Sequence, residues 1–325
     1  MPITISGGAV ISGGLQITQG GSPSPTPGGG GASNFGYSSG GFDGSSYVNT
    51  IDKFSFSSDG NATDVGDLTR NIGISAGCSS TTNGYTAAGD QPQSPGNGAS
   101  IQKFPFASDS NATNIGNMTV FRYWTTGQSS SASGYASGGL IGNSSNVIDK
   151  FSFSTDGNGT DVGDLTVARH QVSGQSSADN GYTSGGMLES PATYYNIIDK
   201  FPFASDGNAS DVGDLSSASR VQTAGQSSST NGYVSGGRLS TSGFLNTIDK
   251  FAFASDGNAS DVGDLSLARR NMAGQSSNAS GYTSGGSAPS GRSNTIDKFP
   301  FASDGNATDV GDLTTTRSGA AGQQY

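Results

Sequence analysis

The side chains of this chain best suited to chemistry are its aspartates, which recur in the run Asp59-Gly60-Asn61-Ala62-Thr63-Asp64-Val65-Gly66-Asp67 and in five further copies of it. Hard oxygens at such close spacing could hold a calcium ion. The run lacks the D-x-D-x-D-G order closed by a glutamate, and its second copy carries Ser110, Asn114 and Asn117, two of them where the other copies have aspartate. Turn formation accounts for all six copies better. The same copies contain N-A-T, N-A-S or N-G-T, which match the glycosylation sequon; with no secretory signal in MPITISGG they read as turn composition. A glycosidase would gather an unmatched pair of acids in one loop, whereas nearly every acid here sits at a repeated position, as a structural role predicts. His170 is the one histidine and Cys78 the one cysteine. That excludes a copper centre built on several histidines with a paired Cys and Tyr, an internal disulfide framework and any multi-cysteine metal site. Cys78 takes the place held by Gln128, Gln175, Gln226 and Gln275 and reads as a packed strand residue. No catalytic residue, cofactor or metal ligand is assigned, and the chain is expected not to be an enzyme.

The elements that position these residues are short strands. The 325 residues include 53 Gly, with 31% apolar and 12% charged residues, a composition far from that of a helical enzyme and suited to many strands joined by tight turns. The 16 Phe and 11 Tyr recur at fixed places, which a disordered tract would not require. A net charge of −10 without a basic run argues against nucleic acid or an anionic membrane as partner, because both are bound through Lys and Arg. No apolar stretch is long enough to span a bilayer, so no membrane insertion is expected.

Aligned against itself, the chain repeats six times with a period of 47 to 51 residues, the scale of a propeller blade rather than of a helical solenoid unit. The segment I-D-K-F or a variant starts at Ile51, Ile101, Ile148, Ile198, Ile248 and Ile296 and runs into F-x-F, then a D-G-N or D-S-N turn, then V-G or I-G. Twelve of the 16 Phe belong to these F-x-F pairs. Side chains alternate along a strand, so Phe54 and Phe56 point the same way and each blade offers a two-ring patch to a neighbour. A second signature, G-Y-x-x-G, centres on Tyr37, Tyr85, Tyr135, Tyr182, Tyr233 and Tyr282. Between the two lies an Arg followed by A/S/T-G-Q-S-S, as in Arg169 to Ser177; in the first copy Arg70 falls two positions early and Ile72 takes the usual Arg place. Four strands per repeat result: A (QVSGQSS), B (GYTSGG), C (IIDKFPFAS) and D (ATDVGDL).

This order, with Arg before A, Gly-Gly ending B and a hairpin between C and D, resembles the kelch repeat over residues 35–325, although Val65, Ile115, Val162, Val212, Val262 and Val310 stand where the kelch tryptophan would be. The expected fold is all-β: a six-bladed kelch-like β-propeller with four strands per blade. Its last unit ends on a strand A, Gly319 to Tyr325, with no B after it, and its first begins directly at B with Phe35-Gly36-Tyr37. One blade is therefore expected to combine both termini, which removes the open edges of a linear array. Within each blade the C–D turn sets a register. A two-residue turn would put Asp52 opposite Asp67, and a three-residue loop would put Lys53 there; opposite charges favour the second by a few tenths to about 1 kcal/mol.

The copies differ chiefly on one face. The A–B and C–D turns are nearly uniform, while the B–C loops vary, carrying Tyr47 in the first, Pro92 and Pro95 in the second, Glu189, Tyr194 and Tyr195 in the fourth, Arg238 and Phe244 in the fifth and Arg292 in the sixth. The position after the D–A Arg also varies: Tyr123, His170, Val221, Arg270, Ser318. Loops on a rigid scaffold carry recognition, so the candidate ligand face comprises Tyr47, Tyr123, His170, Tyr194, Tyr195, Arg238, Phe244, Arg270 and Arg292; unselected drift of exposed loops is the alternative.

Residues 1–20 alternate small and β-branched residues around Gly, as an arm adding a strand to another protein's sheet would, with Ile3, Ile5, Val10, Ile11, Leu15 and Ile17 as candidate anchors. Residues 21–34 are a Pro-rich then Gly-rich linker. Near-identical blades of the type IDKFPFASDGNATDVGDLT behind a short Gly-rich arm resemble kelch-like repeat proteins of tailed bacteriophages, particularly those of marine cyanobacteria. The resemblance implies a virion structural protein, such as a tail fibre, knob or capsid decoration, mounted on other virion proteins through the arm and contacting a host-surface glycan or protein, possible homo-oligomer included. A cellular carbohydrate- or protein-binding propeller without a virion role is the alternative, and a degenerate glycan-active enzyme the third reading.

Overall fold

A computed structural model of the chain describes residues 34–89, 98–240 and 243–324. Within them lie 30 strands and no helix, and six antiparallel sheets of four strands form the blades of a β-propeller. In blade four the strands are A (Ser173–Ser176), B (Asn180–Ser184), C (Ile197–Pro202) and D (Ser210–Asp214), paired in that order from the axis outwards. The expected closure is present. The last strand A, Ala321–Gln324, pairs with the first strand B, Phe35–Ser39, placing Gly36 opposite Gln324 and Ser39 opposite Ala321. Among the described residues no helix is long and apolar enough to cross a membrane. The proposed anchors Ile3, Ile5, Val10, Ile11, Leu15 and Ile17, the linker up to Ser33, and Pro92 and Pro95 lie outside the described residues.

The six strands A pack around the axis closely enough that only glycine fits at their second position. A Cβ on Gly77, Gly127, Gly174, Gly225, Gly274 or Gly322 would lie 2.0 to 2.3 Å from the carbonyl oxygen of the neighbouring blade's equivalent glycine. One residue further along, Gln128, Gln175, Gln226, Gln275 and Gln323 donate from Nε2 to the carbonyls of Tyr182, Tyr233, Tyr282, Tyr37 and Tyr85 in the next blade. Cys78 makes the same link, its Sγ donating to the Tyr135 carbonyl at 3.3 Å. Burial pushes this thiol up to about 12, and the thiolate is the reactive form. Iodoacetamide is therefore expected to leave Cys78 unmodified in the native protein at pH 8 and to alkylate it completely in denaturant, as mass spectrometry would read.

Between blades, each signature Tyr packs on the F-x-F pair of the following blade. The Tyr37 ring stacks on Phe106 at 4.9 Å, and the seam between the last and first blades repeats this with Tyr282 on Phe56 at 4.5 Å. Each such aromatic contact contributes about 0.5–1.5 kcal/mol beyond area burial, and the closing seam has the same one as the others. The Gly before each Tyr exists for the same rings: a Cβ on Gly36 would meet Phe54 at 2.4 Å, and the five equivalents repeat the clash. Behind the rings, Ile198, Leu215, Val234 and Phe251 illustrate the apolar cluster that recurs at each interface.

The repeated Arg is buried. Arg122, Arg169, Arg220, Arg269 and Arg317 are 0% exposed and pair at 2.8–3.0 Å with Asp149, Asp199, Asp249, Asp297 and Asp52 of strand C, which are equally buried. Blade two replaces both members together. Ile72 stands for the Arg and Gln102 for the Asp, both fully buried, and Gln102 Oε1 still accepts from Thr69 N–H and Oγ1 as Asp149 does from Thr119. The substitution leaves no unpaired charge inside, which is the condition a buried site must meet.

The C–D register differs from both expected alternatives. Thr50 faces Asp67, a bulge follows between Ile51 and Asp52, and then Asp52 faces Asp64 and Lys53 faces Thr63. The expected Lys53–Asp67 pair does not form because the turn is not a tight hairpin serving its own blade. Lys53 Nζ reaches Asp109 of the next blade at 2.9 Å, Lys298 closes the same circle on Asp59, and Asn61 Oδ1 accepts the N–H of Asp312 in the preceding blade. Asp52 faces Asp64, and the like-charge contact is offset by Arg317, which pairs with Asp52 at 3.0 Å.

Candidate binding site at the mouth of the central channel

The D–A and B–C connections meet where strand A begins. Two residues before each strand A stand Ile74, Trp124, Gln171, Gln222, Asn271 and Gly319, and their backbones form a closed circle. Each N–H donates to the carbonyl of the one before it, from Trp124 to Ile74 at 2.9 Å round to Ile74 to Gly319 at 2.6 Å. All six have positive φ, between 54° and 71°. Glycine suits that conformation, and only Gly319 supplies it; a side chain there costs about 1–2 kcal/mol, and strain of this kind concentrates at functional sites. Five non-glycine residues of four types therefore hold this conformation around the mouth, Asn271 being the one that tolerates it best.

These residues and the starts of strand A line a cavity of about 110 Å³ in which no described lining residue is titratable. The glycine circle below separates it from a smaller space of about 60 Å³ that continues towards the A–B turns. Ser75, Trp124, Thr125, Gln171 and Thr223 each carry a buried polar atom with no hydrogen-bond partner among the described residues, and a polar atom left so costs about 1–3 kcal/mol. Polar groups held short of partners around a cavity suit capture of a polar ligand.

The expected ligand-face residues gather in separate clusters about this mouth. At blades three and four, Phe121, Tyr123 and Trp124 form a file of rings, with Trp124 stacked on His170 at 5.2 Å. The His170 side chain is wholly buried, its Nδ1 3.0 Å from Ser144 Oγ and its Nε2 3.3 Å from Glu189 Oε2 without a formed hydrogen bond. At blades five and six, Arg238 Nε and Arg270 Nη1 both donate to Gln222 Oε1, at 3.1 and 3.0 Å, and Arg270 lies over the Phe244 ring at 5.2 Å. At blades six and one, Arg292 lies over Phe42 at 4.5 Å and Phe42 contacts Tyr47 at 5.3 Å. Tyr194 pairs across a short hairpin with Met187, and the Tyr195 N–H donates to Gly186. Sequence reasoning missed Trp124, Gln171, Gln222 and Asn271. The available signal was that this column holds a different residue in nearly every copy and includes the only tryptophan.

Burial lowers the pKa of His170 from 6.5, opposed by Glu189 and the Met187 backbone. A histidine depressed in the folded state takes up its proton more readily when unfolded, so its contribution is complete above the unfolded value near 6.5 and declines as pH falls through that value towards the folded one. Thermal stability is expected to decrease between pH 7 and pH 5 by more in the wild type than in His170→Asn, read from melting curves in buffers of matched ionic strength.

No protein-family model and no curated protein matches the chain. Among solved structures 255 chains match, and that of YjhT superposes with a TM-score of 0.65 at 12% identity, covering 78% of this chain and 88% of that one. At this identity the likeness concerns the propeller fold, which by itself carries no function.

Proposed function

We propose that the chain is a non-enzymatic recognition head that binds a polar ligand, a surface glycan, at the channel mouth, and that residues 1–34 mount it on a larger particle. The virion appendage that the repeats resemble, such as a tail fibre, knob or decoration protein touching its host, has this layout. One observation carries the reading: the blades are nearly invariant wherever they serve the ring, and vary at six positive-φ positions, five of them not glycine, that line one cavity. The lack of a titratable group among the described lining residues supports binding rather than acid–base chemistry.

A glycan array probed with the full chain tests this reading. Saturable binding is expected, weakened about tenfold by Trp124→Ala, the order of one aromatic contact and its buried area, without loss of the folded state. Absence of binding to every glycan, or binding unchanged by Trp124→Ala and by a Gln171→Ala/Gln222→Ala pair, overturns it. Removal of residues 1–30 is expected to leave both the melting temperature and glycan binding intact and to abolish incorporation into the particle; an unfolded truncation product would place those residues inside the ring.

A further inference from the structure

Twelve of the 15 Lys and Arg side chains of this acidic chain lie beside carboxylates. Each of the six lysines reaches an aspartate of the adjoining blade, and five arginines are buried against strand-C aspartates. Arg292 lies near Asp43. Arg238 and Arg270 differ: among the described residues neither has an ion-pair partner, and both lean on the one neutral oxygen of Gln222. Two guanidiniums converging without an acid repel each other, and the Arg270 pKa is lowered first by burial and then by Arg238, with no carboxylate acting to raise it. At the buried Arg220, by contrast, burial also lowers the pKa but Asp249 opposes it.

The arrangement is built rather than adventitious. The Arg238 backbone is locked in a bridge with Val221, and that of Arg270 in one with Ser287. The Phe244 ring faces the Arg270 guanidinium, Gln222 belongs to the strained circle of the mouth, and Arg270 Nε is buried without a partner. Arg238 spends only Nε on Gln222, which leaves both its Nη groups without a bond among the described residues. Paired planar forks of this kind match the oxygens of a carboxylate or sulfate.

We propose that Arg238 and Arg270 seat an oxyanion of the ligand, a carboxylate or a sulfate ester on a saccharide, at the edge of the mouth. This deepens the glycan reading and rests on it. It makes the ligand an acidic sugar whose ring lies over the mouth while its charge is held between blades five and six. Overall net charge does not oppose this, because screening confines charge effects to about 8–10 Å at physiological salt.

Side-chain NMR of the full chain labelled at arginine nitrogens, with calorimetry, tests the seat using three probes: sodium glucuronate, sodium sulfate and uncharged methyl glucoside. Saturable shifts of the Arg238 and Arg270 side-chain signals with glucuronate or sulfate, absent with methyl glucoside, are expected. Glucuronate alone identifies a carboxylate, sulfate alone a sulfate ester, and both a seat for either. Affinity should decline at least tenfold in Arg270→Gln and in Arg238→Gln, and also in the charge-keeping Arg270→Lys, which loses the fork. Unmoved arginine signals at saturating concentration, or equal binding by methyl glucoside, overturn the oxyanion seat. The glycan reading then stands or fails separately on array binding and its dependence on Trp124.

Discussion

Gly127→Ala is expected to yield no soluble folded propeller. The added methyl carbon would lie 2.0 Å from the Gly77 carbonyl oxygen and 3.0 Å from Cys78 Sγ, and the first of these atoms belongs to a backbone that cannot swing aside. Strand A of blade three cannot retreat either, since a Cβ on Gly174 in the next blade would already meet the Gly127 oxygen at 2.3 Å. Relief would require every strand around the axis to move outwards and the seams between blades to open. A loss above about 4–5 kcal/mol belongs to the exceptional class of substitutions, and total stability is on the order of 5–15 kcal/mol. Gly207→Ala is the control. That glycine has open space where the Cβ would go and no φ in the left-handed region, so the melting temperature of this variant should stay within experimental scatter. Circular dichroism and soluble yield read both variants, and a well-folded Gly127→Ala protein would contradict the packing assigned to the axis.

The second large effect concerns the buried ion pair, and blade two supplies the design. Arg220→Ile leaves Asp249 charged and unpartnered inside the blade and is expected to cost about 3–5 kcal/mol, lowering the melting temperature by on the order of 10 °C. Asp249→Gln alone strands the Arg220 charge with a similar result. The double variant copies Ile72 and Gln102, which fill the same positions with no charge. It should regain at least half of the loss, because Gln keeps the acceptor that Ser216 uses on Asp249, as Thr69 uses it on Gln102. Full recovery is not expected: Gln102 Nε2 has no partner in blade two, and such an atom costs about 1–3 kcal/mol. Strictly additive single effects in this double-mutant cycle would show that the two positions do not act as a pair.

Much of the ring was legible in the sequence because its determinants repeat. Fixed spacing of F-x-F and G-Y revealed six blades, and the missing strand at each end revealed the closure between Phe35–Ser39 and Ala321–Gln324. The C–D register was not legible, because it depends on Lys53 and Asn61 reaching into other blades, and a hairpin considered alone contains neither partner. The pairing of Arg with strand-C Asp was written in the chain as the joint departure of Ile72 and Gln102, but no local pattern links residues thirty apart. The mouth was half legible. Variation at Tyr123, His170 and Arg270 marked the face, whereas the adjoining column hid its positive φ behind residues that do not advertise it, since only Gly319 has the type the backbone favours.

The division of labour between an invariant ring and a variable mouth makes a specific demand on where a ligand acts. Hydrogen–deuterium exchange of the full chain, with and without the best-binding array glycan, tests it most directly. The account predicts slower exchange in peptides spanning 122–126, 170–173, 221–224 and 270–273, where the backbone circle and its side chains lie, with no change in the C–D turns around Asp59, Asp206 and Asp304. Protection confined to those turns or to the A–B turns, with the mouth peptides unchanged, would contradict it.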